Sequence, residues 1–181
     1  MSSPLRISLA KANSATATQL AELGRQTFLE TYSAQNTPEN LAAFVAQTFS
    51  PEIQLAELQE PETTYLIAHM QAEAVGYAKL RDNSSLGLSE NQDAAGRLEI
   101  KQLYVREDWQ GTGLGAALMR SILALAEQLH CTAVVLGVWE KNARARAFYQ
   151  RFGFREVGKC DFQLGQETQT DLILRKGLAG R

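Results

Sequence analysis

Residues 105 to 118 read Val-Arg-Glu-Asp-Trp-Gln-Gly-Thr-Gly-Leu-Gly-Ala-Ala-Leu. The residues before them, Arg97 to Val105, have the make-up of a strand. After them Leu114, Leu118, Ile122, Leu125 and Leu129 recur at helical spacing, so a long amphipathic helix starts near Gly113. A strand therefore passes through a glycine-rich turn into a helix. A helix N-terminus carries unpaired N–H groups and about half a positive charge, which suits an anion. Gly111, Gly113 and Gly115 let the backbone approach that anion closely and adopt positive φ. The successive amides of Gly111, Thr112, Gly113, Leu114, Gly115 and Ala116 can hold two bridged phosphates without a lysine. The alternative is a turn that only connects. It leaves unexplained a cost of roughly 0.5–1 kcal/mol for each glycine inside an element.

Two other phosphate motifs share this glycine pattern. Gly111-Thr112-Gly113-Leu114-Gly115-Ala116 satisfies the dinucleotide form, and Glu140 ends the next strand 24 residues after Ala116. Against it, five residues, Arg106 to Gln110, separate strand from first glycine, and only 41 residues follow Glu140, too few for a doubly wound domain. A Walker loop is excluded, because no Gly-Lys-Ser/Thr follows.

Working outward, Leu5 to Leu9 alternates as a short strand, and about Thr16 to Tyr32 carries Leu20, Leu23, Phe28 and Tyr32 at helical spacing. Thr37-Pro38 and Ser50-Pro51 each read as an N-cap followed by proline at the first helical position. They predict helices over Pro38 to Thr48 and Pro51 to Gln59. Thr64 to Met70 and Ala74 to Leu80 form a hairpin about Gln71-Ala72-Glu73. Asp82 to Gly96 is a polar surface loop, expected to be the mobile segment. Thr132 to Trp139 has strand length. A helix follows from about Asn142 to Phe152 with Gly153 as its C-cap, then strands near Arg155 to Leu164 and Thr170 to Arg175. The class is α+β.

At 181 residues the chain fits one domain, 1–181. Its 45% apolar and 21% charged residues describe an ordinary globular protein, and a net charge of −2 gives no footprint for nucleic acid or an anionic membrane. No apolar run approaches the ~20 residues of a membrane helix, and Met1 to Arg6 lacks a signal peptide's apolar stretch. Cys131 and Cys160 are too few and too scattered for a disulfide framework or a zinc site. The expectation is a cytoplasmic protein with free thiols and no metal.

Gln110-Gly111-Thr112-Gly113-Leu114-Gly115-Ala116 resembles the acetyl-CoA motif of the GNAT N-acetyltransferases, Gln/Arg-x-x-Gly-x-Gly/Ala. Leu103-Tyr104-Val105 is similar to the strand end whose backbone bonds the pantetheine arm in that family. Asn142 and Ala147-Phe148-Tyr149, followed by Gly153-Phe154, resemble its second signature. The resemblance implies a three-layer α/β/α fold, with a mixed, mostly antiparallel sheet of about seven strands flanked by helices, and acetyl-CoA as cosubstrate. Thr27 to Tyr32, Gly76 to Leu80, Leu136 to Asn142 and Gln169 to Leu172 narrow it to the bacterial Pai-type spermidine/spermine acetyltransferases. Cys160-Asp161 before Phe162 departs from that branch, which tends to have a histidine there.

What the resemblance implies for chemistry can be set beside each residue's own reading. The acceptor, with an ammonium pKa near ~10.4, must lose a proton, and the leaving thiolate, with a thiol pKa of about 8.5, should gain one. Tyr149 is the candidate acid. Phe148 and Tyr149 point about 100° apart on a helix, so one can serve the core and the other the cleft. The alternative is a tyrosine that only packs. Glu99 is the candidate base through a water, placed by strand alternation on the face of Lys101, Leu103 and Val105. Its alternative is an ion pair with Lys101. The N–H groups of Leu103 and Val105 are expected to orient the pantetheine. Arg144, Arg146 and Arg151 either meet the 3′-phosphate of CoA or form a solvated helix face. His69, His130, Trp109 and Trp139 read as structural.

The expected partner is a small-molecule amine, a polyamine such as spermidine or spermine among the candidates, with Glu30 and Glu99 as carboxylates near it. A regulatory acetyl-CoA-binding module without turnover, or an enzyme acting on protein N-termini or lysines, are the other readings. A C-terminal edge strand offers a route to a homodimer.

Overall fold

The computed structural model describes residues 5–179. Met1 to Pro4, on which the signal-peptide reading mostly rests, lie outside them. In chain order the elements are β1 (Arg6–Leu9), α1 (Ser14–Tyr32), α2 (Pro38–Thr48), α3 (Pro51–Leu58), β2 (Thr63–Met70), β3 (Glu73–Asp82), β4 (Arg97–Val105), α4 (Leu114–Gln128), β5 (Ala133–Trp139), α5 (Ala143–Arg151), β6 (Arg155–Leu164) and β7 (Glu167–Gly177).

Local chemistry sets the boundaries. The Asn13, Thr37 and Ser50 side chains accept from the backbone N–H three residues on and start α1, α2 and α3. Pro38 and Pro51 stand where a missing N–H costs nothing. At the end of α5, Gly153 N–H donates to the Gln150 carbonyl and Phe154 N–H to the Tyr149 carbonyl. This places Gly153, at φ +85°, one residue beyond the cap proper, where a left-handed residue closes the helix.

The sheet runs β1-β2-β3-β4-β5-β7-β6. β4 and β5 are parallel, and every other neighbouring pair is antiparallel. One face packs on α4 and α5 through Leu118, Met119, Ile122 and Tyr149 against Leu98, Ile100, Val134, Leu136 and Leu172. The other carries α1, α2 and α3 through Leu20, Leu23, Phe28 and Leu41. Three layers and a mostly antiparallel sheet are therefore present, as the resemblance implied. Among the described residues no helix is long and apolar enough to cross a membrane, and no cluster of metal-ligating side chains occurs.

One expectation needs correcting. Strand alternation put Glu99 on the face of Leu103 and Val105. In the ladder with β3, Leu80 pairs with Ile100 and Lys79 with Gln102, which leaves Lys101 as an extra residue. This bulge shifts the alternation by one. Leu98, Ile100, Leu103 and Val105 all face α4 and α5, and Glu99 faces the α1–α3 layer with Tyr104. The loop after β3, expected to be the mobile segment, is bonded to the start of β4 at Ser84 and Leu86. Arg97 donates to the Ser84 and Leu86 carbonyls, and the Ser84 hydroxyl donates to Glu99 Oε2 at 2.5 Å.

Candidate active site

The parallel ladder of β4 with β5 ends at Ile100 and Leu136, although β4 runs on to Val105 and β5 to Trp139. The two strands separate beyond that point, in the centre of the sheet. A cleft of about 780 Å³ opens there, and Leu103, Tyr104, Val105, Gln110, Gly111, Gly113, Gly115, Ala116, Asn142, Phe148 and Tyr149 all line it. Residues read from separate motifs thus converge on one space. A smaller hollow of about 470 Å³ on the far side of α5, at Arg146, Phe154 and Leu172, shares none of the glycine turn.

The turn has the form an anion requires. Gly113 caps α4 in the left-handed region at φ +88°, with no side chain bonded across the helix end. Gly111 is also left-handed, at φ +78°, and a Cβ on either glycine would meet nothing within 4 Å. The first bond into the helix runs from Ala117 N–H to the Gly113 carbonyl, so the amides of Leu114, Gly115 and Ala116 precede the ladder. Gly115 serves packing too, since its Cβ would lie 3.5 Å from the Phe148 ring. Thr112 and Leu114 do not line the cleft with side chains. The Thr112 hydroxyl donates to the Trp109 carbonyl, and Leu114 is buried in the core.

Gln110 braces the cleft. Its Nε2 donates to the Val105 carbonyl at 3.0 Å, and its Oε1 accepts from Arg144 at 2.5 Å. This ties the end of β4 to α5. Asn142 caps α5, accepting from Ala145 N–H at 3.1 Å. Of the three arginines, Arg144 and Arg151 line the cleft, whereas Arg146 donates to the Glu140 carbonyl beside the smaller hollow. Lys141 and Trp139 also line it. The signal for Trp139 was its position at the end of β5, which sequence reading gave to packing.

Tyr149 is 8% exposed, edge-on to Phe148 and Phe154. Burial pushes its phenol pKa up, and the nearby Tyr32 adds to this. It therefore holds its proton, as a donor to a thiolate must. Glu99 lies earlier in β4, level with Val135 and before the point where β4 and β5 part. Ser84 occupies its Oε2, and Lys101 sits 3.4 Å from its Oε1. The ion pair with Lys101 is therefore formed, and Glu99 is not among the residues that line the cleft. Glu30 lines the cleft, and each of its carboxylate oxygens holds one bond. It accepts from Gln26 at 2.8 Å and from Glu107 N–H at 2.9 Å, fastening α1 to the loop before the glycine turn.

Comparison with known proteins agrees with this geometry. The model of the acetyltransferase (GNAT) family matches residues 20–154. An uncharacterized N-acetyltransferase of Lactobacillus delbrueckii subsp. lactis is 31% identical over 156 residues, covering 86% of this chain and 88% of that one. The spermine/spermidine N(1)-acetyltransferase of Bacillus subtilis is 37% identical over 68 residues, 37% of this chain and 45% of that protein. Among solved structures, the PaiA N-acetyltransferase of Thermoplasma acidophilum in complex with coenzyme A superposes with a TM-score of 0.75 over 96% of this chain and 99% of that one, at 19% identity. A cleft split into the sheet beside a glycine-capped helix, matched over most of its length by this family's model, is a transferase architecture. The chain belongs to the GNAT acetyltransferase family and is an N-acetyltransferase.

Proposed function

We propose that the protein transfers an acetyl group from acetyl-CoA to a small primary amine, a polyamine such as spermidine or spermine being the preferred acceptor. The observation that carries this is the continuity of the cleft. Open amides at residues 111 to 116 lead into the gap between β4 and β5, and the Tyr149 phenol lines the same space. The cosubstrate supplies the activated acetyl thioester. The amides of the glycine turn hold its pyrophosphate, with Arg144 or Arg151 toward the outer phosphate. The β4 edge at Leu103 and Val105, freed from β5, orients the pantetheine arm and polarises the thioester carbonyl. Tyr149 gives its proton to the departing sulfur. Glu99, on the α1–α3 side, takes the proton of the acceptor through a water. Direct attack by the held amine needs no covalent enzyme form, because holding both reactants supplies most of the advantage.

A small acceptor is favoured over a peptide by the way α2 closes on the last hairpin. Phe44 packs on Phe162 with ring centroids 5.6 Å apart, Gln166 N–H donates to Asn40, and Gln169 Nε2 donates to Asn36 at 2.7 Å. These contacts hold α2 and Asn36 before it against the β6–β7 hairpin and leave no open groove between them for a peptide. The partial likeness to the Bacillus subtilis polyamine enzyme supports the same choice. The test is thiol release from acetyl-CoA with spermidine, an arylalkylamine and a lysine-containing peptide at fixed salt. Spermidine should give the highest kcat/KM, and its rate should fall as ionic strength rises. A best rate with the peptide overturns the substrate class, and no thiol release with any amine overturns the reaction.

A further inference from the structure

β5 is the apolar centre of the sheet, and its residues are buried with one exception, Gly137. An exposed residue in the middle of a central strand means that the layer above it is open there. Gly137 shares its face of the sheet with Trp139, and across β7 with Asp171, which pairs with Trp139. A Cβ on Gly137 would lie 3.2 Å from Asp171 Oδ2, so that oxygen stands over the glycine. Glycine inside a strand commonly marks such a close approach.

The Asp171 carboxylate is unmatched. Its Oδ1 is buried without a hydrogen-bond partner, and among the described residues no cation pairs with it. Two residues away on the same face of β7, Gln169 Oε1 is buried without a partner as well. Both orphan atoms are acceptors. An ammonium offers three donors, no acceptor and the opposite charge, so it answers both deficits at once. The charged and titratable groups that reach this corner are Tyr32 of α1, Cys160 and Asp161 of β6, Glu99, Lys101 and Tyr104 of β4, and Lys141 after β5. Of the cations nearby, Lys101 is already paired with Glu99, and Lys141 lies over the Trp139 ring, 6.0 Å from its centroid. The corner adjoins the cleft, since Trp139 both pairs with Asp171 and lines the cleft, and Tyr32 lies 5.8 Å from the Trp139 ring.

We propose that Asp171 seats the acceptor: its carboxylate, standing over Gly137 with Oδ1 unpartnered, receives the ammonium end of a primary alkylamine and holds its nitrogen at the mouth of the gap between β4 and β5. This rests on the acetyltransferase reading above and names the specificity-determining residue of that site. Gly137 keeps the slot empty enough for the methylene next to the nitrogen. Desolvation holds the Asp171 carboxyl at a pKa of about 6, so the seat is charged at neutral pH and loses its charge as pH falls through that value.

The test separates binding from turnover. Spermidine is titrated calorimetrically into CoA-saturated wild type, Asp171→Asn and Gly137→Ala. Asp171→Asn keeps the shape and removes the charge, and it should weaken spermidine about tenfold or more while CoA affinity stays the same. Gly137→Ala puts a methyl 3.2 Å from Oδ2 and should also weaken spermidine without touching CoA. Wild-type binding should weaken below pH 6, and the Asp171→Asn variant should show no such limb. Equal spermidine affinity in wild type and Asp171→Asn overturns the proposal, as does wild type that binds CoA but not spermidine. If spermidine binding depends on Asp171 yet no thiol is released, the seat stands and the acetyltransferase reading fails.

Discussion

At position 149 a hydroxyl is carried on a ring that is otherwise core. Tyr149 packs among α4, β5 and β7, its neighbour Phe148 stacks toward Gly115 and Phe152, and both reach the cleft. The two roles can be separated by removing one atom. Tyr149→Phe keeps the ring, so acetyl-CoA should bind as before. Turnover should fall about 10²–10⁴-fold, the usual worth of a general acid. Steady-state kinetics decides: a variant that keeps most of its turnover makes Tyr149 a packing residue. The division of core and cleft expected between residues 148 and 149 does not appear, since both line the cleft and both pack on the same core. Asp171 was not legible in the sequence. Its meaning comes from strand pairing with Trp139 and from the missing side chain at Gly137, and neither pairing nor register is written locally. The available signal was a lone glycine inside the apolar run Ala133 to Trp139.

Among the elements, β4 and α4 show opposite degrees of legibility. The helix and its glycine turn were readable because period, glycine spacing and the absence of a side-chain cap are local properties. The face of β4 was misread because one bulged residue, Lys101, inverts the alternation on which a strand's reading depends. The error moved Glu99 to the other layer and left the fold unchanged. The turn makes its own prediction. Gly113 needs the left-handed region, where a β-branched residue is strained, and its open side is where the phosphate would lie. Gly113→Val should lose CoA binding by tenfold or more and keep its far-ultraviolet circular dichroism, with a somewhat lower Tm, strain of this kind costing about 1–3 kcal/mol. Calorimetry giving unchanged CoA affinity in the folded variant would remove the pyrophosphate from this turn.

For the whole molecule, an opening in the centre of a sheet must be held by what surrounds it. β4 and β5 part beyond Ile100 and Leu136. The gap is spanned by the Gln110 bridge from the Val105 carbonyl to Arg144, by α1 anchored through Glu30, and by α2 closed on the last hairpin. A site made in this way keeps groups that do nothing for stability, and Asp171 is the one whose cost can be measured. Desolvation raises its folded pKa to about 6 from 3.8, so the folded chain binds this proton more tightly than the unfolded chain does. Stability from this group is therefore fully present below about pH 4 and is lost as pH rises through 6. Above that, the ionised carboxylate opposes folding by about 1 kcal/mol after allowance for screening by solvent. Asp171→Asn cannot ionise. It should match wild type near pH 4 and exceed it above pH 7 by about 2–4 °C in Tm, the shift expected per kcal/mol for a chain of this size. Thermal unfolding of both proteins at those two pH values measures it. A variant no more stable than wild type at pH 7.5 would mean that Asp171 is already compensated in the folded protein, by a partner or by solvent. A variant more stable at neutral pH that also binds spermidine less well would show the site holding its charge at the expense of the fold.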